Sequence, residues 1–333
     1  MKIPSGSPAA RMLSLGEYRP ARVVTNDEIA PQIDSSDKWI RDRTGFVSRR
    51  FSADETVADM ATSAGQEALE RSGVDPADVD LVIVASCTHP YQTPGASSEV
   101  QDRLGATKAG AMDINAACAG FCYTLATASD MIRAGTARYV LAIGSEKLTD
   151  FIDPLDRTMA FLFGDGAGAA VVGPSDEPGI GPVAWGSDGS HIKTITQEPN
   201  YTELQQASRE GRSVGPIALR MDGQTVFRWA SYEMKHVAEK ALELADVKPD
   251  ELGAFIPHQA NLRIVQTLVR SLGLPDHVVI ARDGETQGNT SSASIPLALH
   301  ALRERGEVKS GDPALLLGFG AGLTFAGQVA LIP

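Results

Sequence analysis

Cys118 lies in the run Asp113-Ile-Asn-Ala-Ala-Cys118-Ala-Gly-Phe-Cys-Tyr, where a strand-like segment gives way to a helical pattern. First-turn N–H groups have no intrahelical partner, and with the helix dipole they favour an anion at that end. A thiol placed there can fall from a free pKa of about 8.5 to about 7 or lower and act as a nucleophile. Most cytosolic cysteines are small buried apolar residues, so this run alone leaves both roles open. His258 closes the apolar stretch Leu252-Gly-Ala-Phe-Ile-Pro-His258, and Asn289 lies in Gln287-Gly-Asn-Thr-Ser-Ser-Ala-Ser294, each again just before a helical pattern. Singly, a strand-end histidine can be structural, and Asn-Thr-Ser is good helix-capping chemistry. As a set, Cys, His and Asn at three strand-to-helix turns fit an active site, because in α/β sheets ligands meet the carboxyl ends of strands and the starts of helices.

The elements that must position these residues alternate between strands and amphipathic helices, which reads as α/β with largely parallel sheets. Val57, Met60, Ala61, Ala64 and Ala68 mark a helix within Thr56 to Gly73, and Val226 to Leu242 marks a longer one. In the first half the order is strand (Asp80–Cys87), helix, strand (Ala109–Asn115), helix opening at Cys118, strand (Arg138–Gly144). The second half repeats it with strands Leu252–Pro257, His277–Ala281 and Ala314–Gly318, and a helix opening near Asn289. Cys118 and Asn289 are then expected at equivalent helix starts. A turn-rich junction at Gly173-Pro-Ser-Asp-Glu-Pro-Gly-Ile-Gly181 divides the chain into halves 1–175 and 176–333. Residues 187–216 are polar and aperiodic and read as a long surface loop bordering the site.

Two glycine-rich runs, Gly164-Asp-Gly-Ala-Gly168 and Gly318-Phe-Gly-Ala-Gly322, lack dinucleotide spacing and are followed by strand-like sequence, which excludes a Rossmann site. The glycines instead suit close passage of the backbone past a reacting group. The chain has 333 residues, ample for a substantial core. It has no run of about 18 apolar residues and no basic-then-apolar leader, so a soluble, cytoplasmic protein that does not engage the membrane is expected. Its net charge of −12 argues against nucleic-acid binding, and any acidic partner must meet a local basic patch. Cys87, Cys118 and Cys122 are an odd, sparse set, which argues against a disulfide framework. Cys122 reads as packing, because no ligand cluster completes a metal site.

Five segments carry a resemblance: Ala116-Ala-Cys-Ala-Gly-Phe121, Phe163-Gly-Asp-Gly-Ala-Gly-Ala169, Ile256-Pro-His-Gln-Ala-Asn-Leu-Arg263, Gly288-Asn-Thr-Ser-Ser-Ala-Ser294 and Gly318-Phe-Gly-Ala-Gly322. In order and spacing they resemble ketoacyl-acyl-carrier-protein synthase III of the thiolase superfamily, and Asp37-Lys-Trp-Ile-Arg-Asp-Arg-Thr-Gly45 resembles that family's early coenzyme A segment. The resemblance implies a thiolase-like fold of two pseudo-symmetric αβαβα halves stacked as α-β-α-β-α, and a homodimer. It implies Cys118, His258 and Asn289 as catalytic residues, with the backbone N–H groups of Cys118 and Ala321 as the oxyanion hole. Trp39 and Arg157 would sandwich the adenine of coenzyme A, Arg43 would meet its phosphates and Asn261 its pantetheine, with Gln224 and Phe163 also lining the substrate site. Arg263 and Arg270, seven apart on one helix face, would dock acyl carrier protein. Thr93 stands where acetyl-preferring relatives place a phenylalanine that closes the acyl pocket across the dimer, with Leu148 able to fill the gap.

The implied reaction needs no cofactor or metal, coenzyme A thioesters being substrates. Cys118 attacks an acyl thioester while the oxyanion hole contributes about 3 kcal/mol per donor. A malonyl thioester then loses carbon dioxide, and His258 (through Nε2) and Asn289 donate to the enolate oxygen. Asparagine supplies a neutral donor where a carboxylate would repel the enolate. Two alternatives stay open at this point: transfer of the acyl group to an alcohol or amine, and a silent partner subunit.

Overall fold

The computed structural model describes residues 5–333 and contains two five-stranded mixed sheets. The first orders its strands Gly110–Ile114, Leu81–Ala85, Val140–Glu146, Gly166–Ser175 and Ala9–Tyr18; the second orders Val279–Ile280, Ala254–Pro257, Pro313–Gly320, Thr324–Leu331 and Ala184–Ser187. Each begins with two parallel pairings and ends with two antiparallel ones. Numbering each set by chain position gives the same strand order in both, with helices interposed at corresponding places. The two halves are therefore pseudo-symmetric, as expected.

The layers follow from which faces are apolar. Helices Val57–Ser72 and Ala96–Arg103 cover the outer face of the first sheet, and Gly223–Ala245 and Leu262–Leu272 cover that of the second. Between the sheets lie Gly120–Arg133 and Ser294–Glu304, whose Phe121, Leu125, Ile132, Ile295, Leu299 and Leu302 pack with strand residues from both sides. The result is the α-β-α-β-α stack. Local signals support the elements: Thr56 and Asp59 form a capping box ahead of Val57, and Gly73, at φ 70°, ends that helix in the left-handed conformation.

Two expectations need correction. The helix after Cys118 begins at Gly120 and that after Asn289 at Ser294, each preceded by a 3₁₀ turn, Ala117–Ala119 and Ser291–Ala293. Ala117 and Ser291 open these turns with nearly equal positive φ, 46° and 48°. Cys118 therefore corresponds to Ser292, and Asn289 to Asn115; both asparagine Oδ1 atoms accept an N–H two residues on, from Ala117 and Ser291. Residues 187–216 are likewise not one structureless loop. Ile195–Glu198 pairs antiparallel with Ala218–Met221, and an asparagine cap at Asn200 starts the helix Tyr201–Arg209. Short strands and a single helix leave too little periodicity to read.

The halves meet backbone to backbone. A Cβ on Gly144, in a central strand of the first sheet, would fall 2.4 Å from the carbonyl oxygen of Ser292. Backbone on both sides leaves little room to relax, so Gly144→Ala should lower stability by about 1–3 kcal/mol or more, read as a lower urea midpoint at unchanged m-value.

Candidate active site

The strand Pro313–Gly320 brings the second half onto Cys118. A Cβ at Gly320 would lie 2.7 Å from the Cys118 nitrogen, and one at Gly318 would lie 2.9 Å from the Ala119 Cα. Only glycine lets this strand pass so close. The Cys118 nitrogen thus lies against Gly320, and Ala321 follows directly on that strand end.

His258 follows the strand Ala254–Pro257, its N–H bonded to the Leu317 carbonyl at 2.7 Å. Its ring is buried edge-on to Phe319, with centroids 5.3 Å apart, and Nδ1 lies 2.7 Å from the Ser294 hydroxyl. Among the described residues that hydroxyl has no other acceptor, so it donates to Nδ1 and the ring proton sits on Nε2. Burial pulls the His258 pKa down to about 3, so the imidazole is neutral.

Asn289 is held on both sides of its backbone, donating to the Leu162 carbonyl at 2.8 Å and accepting from the Gly164 N–H at 3.0 Å. Its Oδ1 accepts the Ser291 N–H at 2.8 Å, which leaves the amide protons on Nδ2 free for a substrate. Asn289 lines a cavity of about 910 Å³ together with Trp39, Arg43, Arg157, Gln224, Asn261 and Arg263, whereas Cys118 and His258 are not among its lining residues. In its wall the Arg43 guanidinium lies 4.2 Å from the Trp39 ring centroid and that of Arg157 lies 5.8 Å from it. Asn261 caps the helix Leu262–Leu272 through Oδ1 and donates to the Arg43 carbonyl at 3.1 Å. Asp153 and Asp156 pair with Arg220, while Arg157 faces Asp34 at 3.7 Å.

Other expected positions lie elsewhere. Phe163 does not line the cavity; Phe161 and Leu162 do, while Phe163 is buried alongside Asn289 through a backbone bridge. Leu148 does not itself line the cavity but is buried in the apolar cluster that includes Phe161 and Leu162 of the cavity wall. Thr93 is exposed on the loop after Leu81–Ala85, away from the cavity of its own chain, and Arg270 is exposed beyond the cavity's edge. Cys122 is fully buried core.

The expected acidic thiol is not found. Burial pushes Cys118 up to about 12, the Glu146 carboxylate acts in the same direction, and the Ser291 hydroxyl opposes both. Desolvation outweighs the helix start because the turn is packed under the second half. Sequence reading missed Glu146, a fully buried carboxylate beside this site; as the last residue of a plain strand pattern, it gave no signal. Among the described residues no three His, Cys, Asp or Glu side chains converge to hold a metal ion, and no helix is long and apolar enough to cross a membrane.

The neutral histidine has a consequence for stability. Its pKa is about 3 when folded against 6.5 as the ordinary value, so between these the unfolded chain binds the extra proton. Stability from this group is present above about pH 6.5 and is lost as the pH falls toward 3. From pH 7 to 5 the loss is about 2 kcal/mol, and urea unfolding of His258→Gln should lack that increment.

Models of the 3-oxoacyl-[acyl-carrier-protein (ACP)] synthase III family match residues 112–189, and of its C-terminal portion residues 242–332. The chain is 51% identical to a beta-ketoacyl-[acyl-carrier-protein] synthase III of Streptomyces glaucescens, covering 100% of this chain and 99% of that one. It is 49% identical to beta-ketoacyl-[acyl-carrier-protein] synthase III 1 of Streptomyces coelicolor with the same coverage. The crystal structure of a priming beta-ketosynthase from a polyketide biosynthetic pathway superposes with a TM-score of 0.96 at 48% identity, covering 100% of this chain and 98% of the other.

Proposed function

The chain belongs to the 3-oxoacyl-[acyl-carrier-protein] synthase III family, and we propose that Cys118, His258 and Asn289 perform that family's chemistry in it. It is an acyltransferase of the condensing type, joining an acyl primer to malonyl-acyl carrier protein and so initiating fatty-acid or polyketide synthesis. What supports the residue assignment is the strand Pro313–Gly320, which passes against Cys118 and Ala119 at Gly320 and Gly318 and carries Phe319 against the His258 ring. On this reading Cys118 of the half 1–175 meets two neutral hydrogen-bond donors, His258 Nε2–H and Asn289 Nδ2–H, from the half 176–333.

In the first half-reaction the acyl thioester places its carbonyl oxygen between the N–H groups of Cys118 and Ala321. Sulfur attacks, the oxyanion is held by these donors at about 3 kcal/mol each, and the coenzyme A thiolate leaves. In the second, the malonyl thioester oxygen accepts from His258 and Asn289. Carbon dioxide departs as the electron pair of the broken C–C bond moves into the enolate, which then attacks the acyl-Cys118 carbonyl. Both donors are neutral before the reaction and stay neutral, so they stabilise the developing charge without a competing charge of their own.

The cavity suits a coenzyme A thioester entering pantetheine-first. Its mouth gathers Arg43, Arg157, Arg228 and Arg263 in a chain of net charge −12, a local basic patch for phosphates and for an acidic carrier protein. Trp39 supplies an aromatic face for adenine, with Arg43 and Arg157 above it. Gln224 and Asn261 line the descent, and Arg263 with Arg270 extends the basic face along one helix for carrier docking. The enzyme works as a cytoplasmic homodimer, in which the exposed Thr93 of one protomer borders the acyl pocket of its partner and leaves it open.

Intact-protein mass spectrometry with a panel of acyl-CoAs, followed by malonyl-carrier protein, tests the reading. Cys118→Ala should take up no acyl group; stoichiometric acylation at another residue would remove Cys118 from the role. His258→Ala and Asn289→Ala should still acquire the acyl mass yet lose malonyl decarboxylation by about a hundredfold or more. Loss of only the first half-reaction would reverse the roles.

Thr93 in place of an aromatic ring leaves space for propionyl and branched four- or five-carbon primers, since an apolar pocket discriminates by roughly 1–3 kcal/mol per methylene. Thr93→Phe should shift preference toward acetyl-CoA by about tenfold or more in kcat/KM, equivalent to about 1.4 kcal/mol. A native enzyme that already prefers acetyl-CoA strongly over isobutyryl-CoA would exclude the open pocket.

A further inference from the structure

Two stretches of chain from different halves form much of the wall of the 910 Å³ cavity. One is turn-rich, from the half 1–175, and supplies Arg157, Thr158, Phe161 and Leu162. The other runs from Met221 to Gln224, where the short strand Ala218–Met221 passes into the helix Gly223–Ala245. Arg157 stands on a turn, yet its guanidinium lies 5.8 Å from the Trp39 ring centroid. That placement needs a cause.

Asp156 holds the turn from inside. Its Oδ1 accepts the Thr158 N–H at 2.8 Å and the Thr158 hydroxyl at 2.6 Å. Its carbonyl accepts the N–H groups of Met159 and Ala160 at 3.1 and 2.9 Å. Oδ2 is left over, and it accepts from Arg220 Nη1 at 3.2 Å. The same Nη1 lies 3.6 Å from Asp153 Oδ2, at the start of the turn. Arg220 belongs to the other stretch, one residue before Met221, and does not itself line the cavity. Next to it the Leu219 N–H donates to the Phe151 carbonyl at 2.8 Å, so backbone and side chain tie the same two stretches together.

A partly exposed ion pair adds little to stability, and the Arg220 side chain is 38% exposed. Its effect is on placement and charge. Among the described residues Asp153 and Asp156 have no other cation partner. Without Arg220, two bare carboxylates adjoining Arg157 would compete for its guanidinium and oppose the approach of phosphates. We propose that Arg220 is a positioning residue for coenzyme A recognition, acting through Asp156 to hold Arg157 over Trp39 and neutralising the carboxylates beside the nucleotide end of the substrate. The inference rests on reading this cavity as the coenzyme A site.

Single-turnover acylation, followed by intact-protein mass, tests it with butyryl-CoA and with butyryl-pantetheine, which has the thioester arm without the nucleotide. Native protein should reach half-saturation at a lower concentration of butyryl-CoA than of butyryl-pantetheine. Equal values, or no acylation from either, would overturn the coenzyme A reading and this inference with it. Given the native difference, Arg220→Met should raise half-saturation for butyryl-CoA about fivefold, the worth of an ordered cation on an aromatic face. Its maximal rate, and both constants for butyryl-pantetheine, should stay near native. Asp156→Asn keeps an oxygen for Thr158 but removes the charge facing Arg220, so it should give the same selective loss and test the link even if Arg220→Met fails to fold. The double variant should be no worse than either single one. Arg220→Lys should restore most of the affinity, because both contacts fall on one nitrogen and do not use the guanidinium fork. Native-like half-saturation in Arg220→Met overturns the inference alone. So do equal losses with both substrates, which would mark a general structural role, and so does full additivity of the two substitutions.

Discussion

Where the two halves meet, main chain lies directly against main chain, and the site depends on that contact. The Ser292 carbonyl fills the space in which Gly144 would carry a side chain, and Gly320 leaves room for the Cys118 nitrogen. Two 3₁₀ turns, each opened by a residue of positive φ, face one another across this seam. A turn of that kind in a non-glycine residue is strained and persists only when its surroundings hold it. The surroundings are two sheets and the two central helices packed between them, so the fold's largest apolar cluster is also what holds the Cys118 turn in place.

The same packing fixes the electrostatics. Desolvation drives His258 to a neutral donor and holds Cys118 as a thiol, the reverse of the exposed-helix-end picture in which a dipole alone makes a thiolate. A neutral thiol survives in a cell without reacting indiscriminately. Asp165 illustrates the rule elsewhere in the seam. Burial raises its carboxyl, while bonds from Thr149 and Ser52 oppose the rise, and its backbone carbonyl accepts from Gln287 of the second half.

The three residues proposed as reactive were legible as a set because each stands shortly before a helix, and His258 also closes a fully buried strand. The repeat of strand order was legible for the same reason. Legibility ended where structure is decided by contacts rather than period. The offset of Asn289 from its apparent partner depends on a 3₁₀ turn that local residue types do not announce, so Cys118 was paired with the wrong position. Phe161 and Phe163 are two apart on an irregular segment, and only the tertiary path decides which of them meets the cavity. Glu146 looked like the polar end of a strand, and its surroundings are donors drawn from 86–88 and 291–292, far apart in sequence.

On the proposed reading, the histidine tautomer lets one site run two half-reactions that ask opposite things of a base. Acylation needs a proton acceptor near sulfur; decarboxylation needs proton donors that never surrender their protons to the enolate. If His258 served both, it would have to lose its Nε2 proton in one step and present it in the next. The Ser294 hydroxyl prevents that alternation by occupying Nδ1, and Phe319 and the surrounding strand ends keep the ring from rotating. Ser291 holds the neighbouring donor in place: its N–H orients the Asn289 amide, and its hydroxyl donates to Glu146. A single turn of the second half thus ties the Asn289 amide to a strand end of the first.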